Sequence, residues 1–212
     1  VGCAVNRSSG DVVVSNIVNT SGGPGNLELF KGGTGSGIAL TNSYMYEYYF
    51  PAYDGSGNIY ADGLSSSFSY LLVRCAPGSS NCPALNVSGA TLSTSPGGIN
   101  WDGADSELIL GDQQCGRTQS SCWYATEVSG SVATATGTTS FLSFDGTACD
   151  LVQGALGPFS KFAVGGCSAY GTYASAVDRW PYPAGGSSTT YNNSVDAPVG
   201  AAISNKTIRN PE

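Results

Sequence analysis

The pattern that most constrains this chain is one it lacks. No stretch keeps a 3.6-residue apolar period over the 10 to 12 residues or so that a helix requires. Short runs rich in β-branched and aromatic residues recur instead, each bounded by Gly, Asn, Asp or Ser. They fall at 11–19, 26–31, 38–53, 58–75, 85–94, 107–111, 123–136, 140–144, 159–173 and 199–208, and the longer ones are long enough for two strands each. Alternation is clear in Ser67-Phe-Ser-Tyr-Leu-Leu-Val and in Ser140-Phe-Leu-Ser-Phe, one face apolar and the other polar. Only 148–156 admits a turn or two of helix. The pattern predicts an all-β chain, an antiparallel β-sandwich or jelly roll with disulfide-stapled loops, occupying residues 1–212 as one domain. Residues 181–198 carry no periodicity and read as a loop or linker to a terminal strand at 199–208.

The staples come from the cysteines. Cys75 and Cys82 enclose six turn-forming residues, and so do Cys115 and Cys122. Pairing within each segment closes a hairpin end, and Cys149 with Cys167 closes a longer loop. The two half-repeats are too short to count as an internal repeat. A zinc site competes for the same residues, but structural zinc prefers shorter gaps and often histidine, and the chain has no histidine. Three disulfides imply an oxidising compartment, hence a secreted or cell-surface protein. Cys3 is left over. It either reaches another chain or belongs to an internal pair that leaves a different thiol free. The sequons at Asn6, Asn19, Asn86, Asn192 and Asn205 would accept glycans in such a compartment.

Composition removes several functions. Eight Lys and Arg against 15 Asp and Glu, a net charge of −7, leave no cationic face for nucleic acid. No apolar run approaches the roughly 18 residues of a membrane span. Without histidine there is no Ser-His-Asp or Cys-His nucleophile. Carboxylates are therefore the main acid–base groups. Trp101-Asp102-Gly-Ala-Asp105-Ser-Glu107 sets a stacking platform beside three acids, and Glu47 lies among Tyr46, Tyr48 and further aromatics. A glycoside hydrolase needs two carboxyl groups and often a ring to stack on the sugar. The same segments read equally well as turn formers and ordinary Tyr-rich strands. Asp54, Ser56, Asn58 and Asp62 fall in the order of a calcium loop. Against that, Ile59 stands where the loop needs glycine and Ser65 where it needs a bidentate glutamate. A Gly-rich hairpin is the plainer reading, and no other cofactor is expected. Lys31-Gly-Gly-Thr-Gly-Ser-Gly lacks the order of a phosphate loop and reads as a flexible connection.

Three functions fit these residues. One is a structural or adhesive surface or filament subunit, associating through terminal strands or Cys3. Another is a carboxylate-dependent glycoside hydrolase, and the third a lectin-like glycan-binding module.

Overall fold

A computed structural model describes residues 2–115, 120–168, 176–192, 198 and 200–203. The chain is all-β and largely antiparallel, and among the described residues helix occurs only as short 3-10 turns, such as Lys31–Gly33 and Pro158–Ser160. No helix of the described residues is long and apolar enough to cross a membrane.

Strands follow one another in four meanders. Sheet 1 holds β1 (Cys3–Val5), β2 (Val12–Val18), β3 (Pro24–Phe30) and β4 (Ile38–Leu40) in chain order. Sheet 2 holds β5 (Met45–Tyr53), β6 (Ile59–Ser65), β7 (Tyr70–Cys75) and β8 (Ala84–Ser88). Sheet 3 repeats the plan with β9 (Pro96–Asp102), β10 (Glu107–Asp112), β11 (Cys122–Ser129) and β12 (Val132–Leu142). Sheet 4 has β13 (Gly154–Leu156), β14 (Phe162–Gly166), β15 (Val177–Pro181) and β17 (Thr189–Asn192). The short β16 (Gly186–Ser187) leaves sheet 4 to pair with β12. Every sheet is a sequential up-and-down meander, whereas a jelly roll would cross strands between two sheets in Greek keys. The sandwich expected from the alternation is replaced by a series of small sheets stacked face on face. Sheets 2 and 3 are joined at their outer strands by parallel pairing of β8 with β12, which makes one nearly closed barrel-like sheet.

Each interval between successive sheets has its own core, because period-two alternation gives every strand two faces and both are used. Val13, Leu27, Leu29 and Leu40 of sheet 1 meet Met45, Tyr48, Ile59, Ala61 and Val73 of sheet 2. Phe50, Tyr60 and Leu72, on the far face of sheet 2, meet Leu108, Leu110 and Tyr124 of sheet 3. Ile109, Trp123 and Phe141 then meet Ala163, Trp180 and Tyr182. In this last interval Phe141 lies edge-on to both Trp123 and Trp180, with centroids 5.0 and 5.2 Å apart, and the Trp180 indole N–H donates to the Leu142 carbonyl at 2.7 Å. The three expected disulfides are present, Cys75–Cys82, Cys115–Cys122 and Cys149–Cys167, and Cys3 is free and exposed.

Two local readings change. The strand runs read from the sequence pass from 85–94 to 107–111, whereas Pro96-Gly97-Gly98 opens β9 between them. Gly97 lies so close to Gly111 across a bulge that a Cβ on it would stand 3.0 Å from the Gly111 carbonyl carbon. The stretch 148–156 holds β13 and no helix. Of the terminal segment 199–208, only 200–203 are described, without strand pairing.

Candidate functional site

The first strands of the sheets, β1, β5, β9 and β13, all contribute to one cavity of about 800 Å³. Its rim is made by the turns that follow them: Asn6, Arg7 and Ser8, then Asp54 and Gly55, Gly103 and Ala104, and finally Pro158, Phe159 and Ser160. Ala201–Ile203 return to line it as well. Turns gather here because every sheet begins with a hairpin between its first two strands, and the turns of all four border the cavity.

Three aromatic residues, Tyr53, Trp101 and Phe159, stand in a lining otherwise made largely of polar and small residues. Trp101, at the end of β9, is half-buried and nearly parallel to Tyr60, with ring centroids 6.4 Å apart and planes 9° apart. Tyr53 ends β5, and burial, with the Asp11 charge adding to it, pushes its phenol up to about 12. It therefore stays neutral near pH 7. Phe159 stands at the rim with 84% of its surface exposed, in a left-handed backbone conformation with φ 58°. A non-glycine residue in that region is costly unless something holds the turn. Here Ser160, also left-handed, donates its hydroxyl to Asp102 of the neighbouring sheet. Around the rings lie Asn6, Arg7, Asn100 and Gln153; the Asn100 amide also donates to the Gly154 carbonyl at 3.1 Å, tying β9 to β13.

The residues singled out from the sequence are dispersed by the fold. Trp101 lines the cavity, whereas Tyr46 and Tyr48 do not. Tyr46 donates to the Gly22 carbonyl at 2.8 Å, and the buried Tyr48 hydroxyl accepts the Asn42 N–H at 2.6 Å. Asp102 and Glu107 are cross-strand partners in the β9–β10 hairpin, which puts both on the side toward sheet 4. Asp102 is fully buried and its Oδ1 accepts the Ala104 N–H at 2.9 Å as a turn cap, while Glu107 accepts the Thr136 hydroxyl at 2.7 Å. Asp105 is exposed on the turn. Glu47 lies near the start of β5, six residues from the cavity end, or about 20 Å at strand rise. It accepts the Tyr49 hydroxyl at 2.7 Å. Among the described residues the only carboxylate lining the cavity is Asp54.

Asp54 organises its own hairpin. Oδ1 accepts the Ser56 and Asn58 N–H groups at 2.9 and 2.8 Å, and Oδ2 accepts the Asn58 amide at 2.6 Å. Asp62 lies along β6, fully buried, with Oδ1 on the Phe50 N–H at 2.9 Å. The four oxygen residues thus serve a hairpin and a strand rather than one shell. No cluster of three or more His, Cys, Asp or Glu among the described residues could hold a metal ion. Asn19 and Asn86 are exposed; the side chain of Asn192 and all of Asn205 lie outside the described residues. Sequence reasoning missed Arg7, Asn100, Gln153 and Phe159. Of these only Phe159 carries a signal, a bulky ring inside the turn material Gly157-Pro-Phe-Ser160.

No protein-family model matches the sequence, and no curated protein does. Solved structures share the fold at low identity. TolB from Acinetobacter baumannii superposes with a TM-score of 0.58 at 11% identity, over 91% of this chain and 43% of that one. A protein of unknown function from Dyadobacter fermentans gives 0.53 at 10% identity, over 89% and 66%. This chain thus spans about two fifths to two thirds of the length of these two structures.

Proposed function

We propose that this is an exported binding module of β-propeller type, whose axial cavity takes a neutral, polar ring compound of the glycan class. Four-stranded meanders set around a central cavity are the propeller plan, and they suit the chain better than the sandwich or jelly roll read from alternation. Three disulfides support export, and exposed Asn19 and Asn86 are the sequons best placed for glycosylation. The observation that carries the functional reading is the cavity itself. Its volume falls in the usual range for ligand sites, and Tyr53, Trp101 and Phe159 offer ring faces beside the hydrogen-bonding groups of Asn6, Arg7 and Gln153. Holding a ligand needs only these groups. Cleaving it would need two carboxyl groups flanking the bond, and among the described residues Asp54 is the one carboxylate that lines the cavity. The protein then acts as an adhesive or lectin-like surface component.

Tryptophan fluorescence tests this directly. Trp123 and Trp180 are buried, so a bound ring would perturb chiefly Trp101. A panel of neutral oligosaccharides built from glucose, mannose and N-acetylglucosamine should yield one that shifts the emission saturably. Trp101→Ala should weaken its binding by a factor of about 2 to 10, the worth of one aromatic contact. A flat response to every sugar would defeat the proposal, and release of reducing sugar would move it to the hydrolase reading.

A further inference from the structure

Costly backbone gathers at one place on the cavity rim. Among the described residues, four that are not glycine take a left-handed conformation: Phe68, Ser106, Phe159 and Ser160. Twelve glycines take the other left-handed positions, at no steric cost. Three of the four exceptions fall in two turns, 103–106 between β9 and β10 and 157–160 between β13 and β14. Both turns border the cavity, and each carries or adjoins a ring that lines it, Phe159 in one case and Trp101 in the other. The two turns meet at a single atom. Asp102 Oδ1 accepts the Ala104 N–H at 2.9 Å within its own hairpin, and it accepts the Ser160 hydroxyl from the neighbouring sheet. Capping the 103–106 turn needs only the first of these bonds. The second crosses between sheets to a turn whose Phe159 packs into no core, being 84% exposed. At its other end that turn is held by Gly157, whose N–H donates to the Phe162 carbonyl at 2.7 Å and where a Cβ would stand 2.6 Å from the Phe162 ring. Phe159 thus hangs between two anchors, and the fully buried Asp102 is one of them.

We infer that Asp102 is a positioning residue of the binding cavity, fixing Phe159 at the rim through Ser160 before a ligand arrives. The inference rests on the glycan-binding reading above. Asp102 does not itself line the cavity, so it acts through the turn and not by contact. An exposed ring on a loose turn has to be ordered when the ligand binds, and that ordering subtracts from affinity. Fixing the turn beforehand removes the cost. Left-handed non-glycine residues persist where surrounding structure over-determines them, and ligand clamps are where they cluster.

Two readouts test it: affinity for the oligosaccharide that shifts Trp101 emission, and chymotrypsin cutting of the ligand-free protein, with the cut after Phe159 identified by mass. Ser160→Ala should be cut several-fold faster at Phe159 and should bind the sugar about 2- to 10-fold more weakly, the worth of one hydrogen bond. In a Phe159→Ala background the same change should cost no further affinity. Asp102→Ala should behave as Ser160→Ala does. Asp102→Asn keeps Oδ1 and alters only Oδ2, which has no partner among the described residues, so it should restore most of what Asp102→Ala loses. Should Asp102→Ala fail to fold, Ser160→Ala still decides the matter. Equal cutting of wild type and Ser160→Ala at Phe159 overturns the inference and leaves the glycan reading standing. So does an affinity loss from Ser160→Ala that persists without the Phe159 ring, which would mark direct contact between Ser160 and the sugar. A wild type that binds no sugar defeats the glycan reading, and the positioning role falls with it.

Discussion

Asp62→Asn should stabilise the protein at neutral pH and lose that advantage in acid. Asp62 is fully buried between sheets 2 and 3, where burial pushes its carboxyl well above the ordinary carboxylate range and the Phe50 N–H offsets only part of the effect. Among the described residues its Oδ2 has no hydrogen-bond partner, and neither does the buried hydroxyl of Tyr70, a phenol whose own proton is held more tightly by burial and by the charges of Asp62 and Asp112. An unfolded aspartate titrates near pH 3.9. Above that pH the folded chain holds a proton that the unfolded chain has released, so stability falls as pH rises toward the folded value. Asparagine keeps an acceptor for Phe50 and carries no charge. The gain is the protonation cost that the buried carboxyl bears at neutral pH and the amide does not, about 1.4 kcal/mol per pH unit above the unfolded value, of which about 1–3 kcal/mol should survive the amide's own unpartnered Nδ2. At about 2–4 °C per kcal/mol for a chain of this size, the variant should melt roughly 2–12 °C higher at pH 7. At pH 3 the two proteins should melt together. Asp11, held low by the Gly32 N–H and by Lys31, acts with the opposite sign, but it is common to both and drops out of the difference. Calorimetry of both proteins from pH 3 to 8 reads the effect. A difference that does not change with pH, or one that favours wild type at pH 7, would refute the reasoning.

Two further outcomes follow from the packing of sheet 4. Trp180→Ala should cost about 3–5 kcal/mol, because the indole is fully buried between Phe141 and the Leu142 carbonyl. Hydrogen exchange should show the loss concentrated in β13–β15, with β2 and β6 staying protected; uniform loss would mean the sheets do not open separately. Replacing Cys149 and Cys167 together by serine should lower stability by about 3 kcal/mol, as expected for a crosslink spanning 18 residues. Urea unfolding under non-reducing conditions measures it, and an unchanged midpoint would count against the bridge.

Local structure was legible in the sequence, and its repetition was not. The cysteine spacings predict Cys75–Cys82 and Cys115–Cys122 because each encloses turn material, whereas Cys149–Cys167 spans β13 and β14 and follows only as the remaining pair. The runs at 11–19 and 26–31 are close to β2 and β3, and 38–53 and 58–75 divide into two strands apiece. The recurrence of the four sheets is hidden by unequal first hairpins, which close Val5 on Val12, Tyr53 on Ile59, Asp102 on Glu107 and Leu156 on Ala163. Loops of different length leave no fixed period to detect. Strand β9 was masked by Pro96, Gly97 and Gly98, which stand for a close backbone approach rather than a bend. At the cavity, Trp101 was found because a ring beside acids invites attention. Arg7, Asn100 and Gln153 look like any polar residue near a turn, and only the stacking of sheets brings them to one place.

The outer strands of successive sheets are also tied to each other: Thr41 bridges Asn81, β8 pairs with β12, and β12 pairs with β16, each time in parallel. A free strand edge is the usual template for amyloid-like growth. These ties occupy part of such an edge at each junction, which narrows the lateral routes to runaway aggregation. A protein seeded with this many short, Tyr- and Val-rich strands can therefore tolerate crowding, provided those stitches close before neighbouring chains meet.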